Sequence, residues 1–265
     1  MIVRDQMGRA VHVPERPRRI ISLVPSQTEL LFDLGLDAEI VGVTKFCCHP
    51  AAQTRTRQSV GGTKKFRFDV IDQLQPDLIL GNKEENYREG IERLAARYPV
   101  WMSDVHTLPD ALEMIRAVGA ITGKPETAAQ LAGRIAAGFA SLPGSGRPYR
   151  AAYLIWQNPL MAAGNDTFIH DILGRIGLKN ALAGHSRYPQ LTAEQLHAAR
   201  PELILLSSEP YPFREKHRQT FATQFPHARV ELVDGEMFSW YGSRLLLAAA
   251  YLQKLTEKLA QEARP

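Results

Sequence analysis

Short aliphatic runs alternate with helically spaced segments along nearly the whole chain, and that alternation restricts the fold more than any other feature. Arg19–Val24, Glu39–Val43, Asp77–Leu80 and Val100–Met102 read as strands. Past any polar first residue they are largely apolar, as strands covered on both faces must be. Between and after them, Gln27–Leu34, Asp69–Leu74, Glu84–Arg97 and Leu108–Ile121 carry helical spacing. Gly35 fits a helix C-cap, and Pro76 stops the helix before the strand at Asp77. Strand–helix alternation of this kind predicts a parallel sheet with helices on both faces. Residues 1–18, with Pro14 and Pro17, read as a polar lead-in.

Lys124–Leu142 is a single long helical run, with Pro125 at its start and Leu131, Ile135 and Phe139 on one stripe. Pro143-Gly144-Ser145-Gly146 breaks it. The alternation then restarts. Ala151–Trp156, Glu202–Leu206 and Val230–Val233 read as strands; Phe168–Arg175, Thr192–Ala199, Phe213–Phe225 and Ser243–Gln261 read as helices. The expected organisation is an α/β lobe over 1–123, a bridging helix and linker over 124–147, and a second α/β lobe over 148–265. A weak internal repeat agrees with it. Asp69 lies seven residues before Pro76 and Glu194 seven before Pro201, and each proline precedes an acid and an apolar strand.

With 45% hydrophobic and 23% charged residues over 265 positions, a core forms without metal or disulfide staples. A net charge of +4, with no dense Lys/Arg block, argues against a nucleic-acid partner. The two cysteines, Cys47 and Cys48, are neighbours, too close for an unstrained bridge, so free thiols are expected. No apolar run is long enough to span a bilayer. The segment Met1–Asp5 lacks the apolar core of a secretory signal, which leaves a cytoplasmic location as an alternative to an exported one. Walker-type, HExxH and GxSxG signatures are absent from the sequence, and the eight histidines are scattered, so a non-enzyme is expected.

Arg19-Ile-Ile-Ser-Leu-Val-Pro-Ser-Gln-Thr-Glu29 and Gln75-Pro-Asp-Leu-Ile-Leu80 resemble the two signature segments of the helical-backbone periplasmic binding proteins. The similarity runs from about Arg18 to Leu259 and is nearest to members serving cobalamin importers. It implies a class III periplasmic-binding-protein fold: two Rossmann-like lobes joined by one long helix, with ligand held in the interlobe cleft. It also implies a monomeric substrate-binding protein of an ABC importer, with a membrane permease as partner. The ligand would be a corrinoid, a haem or an iron siderophore, and no cofactor is required. The alternative is a cytoplasmic corrinoid- or metal-handling protein on the same scaffold.

Ligands of open parallel sheets sit beyond the carboxyl ends of the strands, which directs attention to particular loops. Phe46-Cys47-Cys48-His49 offers an aromatic face and soft ligands suited to iron, cobalt or zinc. The alternative for Cys47, Cys48 and His49 is a cleft lining without coordination. Trp240, Tyr241 and Arg244 cluster before the last helix, which Ser243 is placed to cap. A cation is unfavourable at a helix start, so Arg244 is expected to read a polar ligand edge or to pair with Asp234 or Glu236. The resemblance adds Trp156 and Tyr188 as walls from the second lobe, and places Lys64 near a first-lobe wall, where lysine would favour a carboxylate-bearing ligand. By the same resemblance, Asp69 and Glu194 correspond to lobe-surface acids that dock on the permease.

Overall fold

A computed structural model describes residues 1–261, and within it the chain forms two compact units. The first comprises 1–105, 109–136 and 241–244; the second comprises 106–108, 137–240 and 245–261.

The first unit opens with β1 (Ile2–Arg4) and β2 (Ala10–His12), an antiparallel hairpin where a polar lead-in was expected. Three-residue strands are too short to show a period, so the pairing has no signature in the sequence. Asp5, buried in the turn, accepts from the backbone N–H groups of Met7 and Arg9 and from the Arg9 guanidinium, which fixes the hairpin. Then follow β3 (Ile20–Ser22), α1 (Pro25–Asp33), β4 (Ile40–Val43), α2 (Ala51–Thr54), β5 (Gln58–Ser59), and the small hairpin of β6 (Gly61–Gly62) and β7 (Lys65–Phe66). The rest of the unit is α3 (Phe68–Leu74), β8 (Leu78–Asn82), α4 (Arg88–Ala95), β9 (Val100–Ser103) and, from residue 109 on, α5 (Leu108–Ile121). The main sheet has the order β5-β4-β3-β8-β9, and every pairing is parallel. Ile21, Leu23, Ile71 and Ile79 are fully buried in its core. Each such side chain contributes about 1.5–3 kcal/mol on removal from water.

Helix α6 (Pro125–Ala140) carries the chain from the first unit into the second, the division falling after residue 136. Its stripe of Leu131, Ile135 and Phe139 is buried, as the spacing required.

The second unit contains β10 (Arg150–Trp156), β11 (Leu160–Ala162), α7 (Phe168–Arg175), β12 (Lys179–Asn180), β13 (Gln190–Leu191), α8 (Ala193–Ala198) and β14 (Leu203–Ser207). It ends with α9 (Glu215–Gln224), β15 (Arg229–Val233), α10 (Glu236–Ser239) and α11 (Leu245–Gln261). Its sheet has the order β13-β11-β10-β14-β15, with β12 also paired to β10. β10, β14 and β15 are parallel, but β10 turns directly into β11 and pairs with it antiparallel. The sheet is therefore mixed, where the alternation predicted parallel strands alone. A tight return needs no crossover helix, and Gln157–Pro159 supplies it between the two strands. α11 begins at Leu245 rather than at Ser243, and the Ser243 hydroxyl is buried without a hydrogen-bond partner among the described residues, so it caps nothing.

Candidate functional site

In the first unit β3 lies between β4 and β8, so chain connections leave it in both directions, and the crevice outside the carboxyl ends of β3 and β8 is where such sheets bind ligands. A buried amide network fixes the loops there. The Gln27 amide donates to Ser103 Oγ at 2.5 Å, Asn82 Nδ2 donates to the same oxygen at 3.0 Å, and Asn86 Nδ2 donates to the Leu23 and Thr63 carbonyls. Asn82-Lys-Glu-Glu-Asn86 is thus partly a structural clasp, since Asn82 Oδ1 also receives the N–H groups of Glu84 and Glu85.

The loop after β4 separates its two cysteines. Cys47 is buried, with its sulfur 3.0 Å from Thr28 Oγ1 and 3.2 Å from Thr44 Oγ1. Burial raises the pKa of its thiol above the ordinary value, so it stays protonated. Cys48 is exposed, and its sulfur lies within 4.8 Å of a ring nitrogen of His49. Phe46 is 51% exposed, with the Lys45 ammonium 5.0 Å from its ring centroid. The ring lies over Gly62, where a β-carbon would come within 3.2 Å of it. Lys64 turns aside and donates to the Glu84 carbonyl at 2.6 Å.

Tyr241–Arg244 completes this unit. Gly242 lies against α1 so closely that a β-carbon would stand 2.4 Å from the Ser26 carbonyl oxygen. Arg244 pairs with Glu29 of α1, an acid of the same unit that the sequence had not marked as its partner. Nε donates to Oε2 at 2.9 Å and Nη2 to Oε1 at 2.6 Å, and the side chains are only 8% and 12% exposed. Burial pushes the Glu29 carboxyl above its ordinary pKa despite the opposing pull of Arg244 and of nearby His49.

In the second unit the carboxyl ends of β10, β14 and β15 gather a second set. Trp156 is 37% exposed and stands edge-on to Tyr211, with ring centroids 5.6 Å apart. Its indole N–H donates to the Asn158 carbonyl, and the Tyr211 hydroxyl donates to Gln157. Trp240 is buried, and its indole N–H donates to Glu209 Oε1 at 2.8 Å, an oxygen that also accepts from Ser239. Burial raises the pKa of Glu209, helped by the neighbouring carboxylates Glu236 and Asp234. Tyr188 is half-buried beside Arg187, whose backbone has φ 59°. Asp69 is exposed in the first turn of α3, 3.7 Å from Arg67, and Glu194 is exposed in the first turn of α8, where the Thr192 hydroxyl lowers its pKa.

Sequence reasoning missed Glu29, Glu209 and Tyr211. Glu29 had no available signal, because its partner lies 215 residues away. Glu209 did have one: an acid just past the carboxyl end of an apolar strand, before a proline.

Residues 20–227 match the family model described as periplasmic binding protein. The chain belongs to the periplasmic binding protein family. A curated relative, the vitamin B12-binding protein of Pectobacterium carotovorum subsp. carotovorum, is 28% identical over 240 residues, covering 88% of this chain and 86% of the relative. Among solved structures, the periplasmic vitamin B12-binding protein BtuF of Vibrio cholerae superposes with a TM-score of 0.79 at 22% identity, over 94% of this chain and 100% of its own. The apo form of the periplasmic haem-binding protein RhuT from Roseiflexus sp. RS-1 also gives 0.79, at 23% identity over 93% and 99%. These likenesses place the fold in class III. No helix among the described residues is long and apolar enough to cross a membrane.

Proposed function

We propose that this chain is the periplasmic substrate-binding protein of an ABC importer and that it captures a metal-centred tetrapyrrole, with a corrinoid as the leading candidate. The observation that carries this reading is the match to the periplasmic binding protein family over 20–227, joined by a vitamin B12-binding relative aligned over 88% of the chain. The residues support it. An exposed aromatic, Phe46, shares its loop with a sulfur–imidazole pair, the exposed Cys48 and the half-buried His49, that suits cobalt or iron. Trp156 offers a half-open aromatic face in the second unit, and aromatics of this size each cover about 150–250 Å² of apolar surface.

The ligand contacts are assigned to Phe46, Cys48, His49, Lys64, Tyr241 and Arg244 of the first unit and to Trp156, Tyr188 and Trp240 of the second. Cys47 supports its loop from behind, through the two threonines. Asp69 and Glu194 are assigned to the permease, where exposed charges govern encounter and register more than affinity.

Titration of the purified chain with cyanocobalamin, cobinamide, haemin and a ferric siderophore, followed by tryptophan fluorescence, tests the reading. A corrinoid Kd in the micromolar range or below is expected, and no binding tighter than about 100 μM to any of the four would sink it. Asp69→Ala with Glu194→Ala should lower uptake in cells while leaving the ligand Kd unchanged. Unchanged uptake would remove the docking assignment.

A further inference from the structure

Arg244 is the one arginine assigned above to the ligand, yet its charge is already matched. Two of its nitrogens are committed to Glu29, and the pair is largely withdrawn from water. A guanidinium held in this way is a different recognition element from a free one. An unpaired buried cation attracts any anion and rejects neutral groups. A cation balanced by a carboxylate at hydrogen-bond distance has almost no net charge toward a third party and offers chiefly the direction of its N–H groups. Asp33 and His49 face Glu29 with opposite effects on it, Asp33 raising and His49 lowering its pKa. Lys45 and Lys64 of this unit are exposed, and salt screens them.

We propose that Glu29 sets the charge selectivity of the site: by compensating Arg244 it makes the first unit favour the neutral carboxamide edge of an amidated corrinoid over a carboxylate-bearing tetrapyrrole. This rests on the tetrapyrrole-binding reading above. Tetrapyrroles of similar size and flatness differ in this respect. Haem and cobyrinic acid present carboxylates, whereas cobinamide presents amides, and a carboxylate brought to a charge-balanced pair gains little to offset its lost hydration. Lys64 alone would point the other way, toward a carboxylate. Its ammonium is exposed and engaged with the Glu84 carbonyl, which makes it the weaker determinant.

The test compares cobinamide with cobyrinic acid, at low salt and at about 0.5 M salt, where exposed lysines contribute least. The wild-type chain should bind cobinamide the more tightly at both. Glu29→Gln keeps an oxygen that can accept from Arg244 but removes the compensating charge. It should move the ratio of the two dissociation constants toward cobyrinic acid by about tenfold or more, about 1.4 kcal/mol, and the move should survive high salt. Glu29→Ala should move it the same way. A ratio unchanged within about twofold in folded Glu29→Gln, or a shift that disappears at high salt, overturns the proposal while leaving the function intact. Wild-type binding of neither corrinoid overturns both. Failure of both variants to reach the native circular dichroism spectrum would make Glu29 a folding residue only, and would overturn it too.

Discussion

Replacing Glu209 separates the charge of a buried carboxyl from its hydrogen bonds. Its Oε1 accepts from the Trp240 indole and the Ser239 hydroxyl, both at 2.8 Å. Glu209→Ala removes the acceptor. Leaving a buried donor without that partner costs about 1–3 kcal/mol, so a loss of about 2 kcal/mol is expected, or roughly 8 °C in midpoint at about 4 °C per kcal/mol for a unit of this size. Glu209→Gln keeps an oxygen in the same place and sheds the charge. Because burial raises the folded-state pKa above that of the unfolded chain, the folded state favours the protonated form. Stability from this group is therefore complete in acid and is lost as pH rises through the folded-state value. Glu209→Gln should match the wild type near pH 4 and equal or exceed it at about pH 7–8, with the difference growing between those limits. Thermal unfolding followed by circular dichroism across this range measures it. Exchange of the Trp240 indole proton provides a local readout, slow in wild type and Glu209→Gln and faster in Glu209→Ala. If Glu209→Gln were as costly as Glu209→Ala at pH 7, the charge rather than the acceptor would be what the site needs, and the reasoning would be wrong.

A thiol reagent should modify one cysteine in the native chain and both after denaturation, with Cys48→Ser abolishing the native reaction; rapid labelling of Cys47 would contradict its burial against Thr28 and Thr44. Gly242→Ala should cost about 1–3 kcal/mol, since its β-carbon would sit 2.4 Å from the Ser26 carbonyl, and should weaken corrinoid binding by displacing Arg244; an unchanged midpoint would refute the close approach. Tyr153→Phe should cost about 1 kcal/mol in chemical denaturation, because the fully buried hydroxyl donates to Ser207 Oγ at 3.0 Å; a stabilised variant would count against that bond.

The amino-acid order carries the α/β alternation, the long helix at Pro125–Ala140 and the family, because each is written in local periodicity or in contiguous motifs such as Arg19–Glu29. It also marked the loops after β4 and before α11 as chemically unusual. Tertiary structure decided what those loops do. The two cysteines are neighbours of the same type, and only the approach of Thr28 from α1 buries one sulfur while the next remains exposed. The hairpin of β1 and β2 and the antiparallel return of β10 into β11 escaped because their strands are short or joined by a tight turn, and pairing energy lies between segments rather than within them. The partner of Arg244 escaped for the same reason. A charge in a sequence reveals its own sign, but the acid that neutralises it is fixed by the packing of α1 against residues more than two hundred positions away, and no local pattern records that distance.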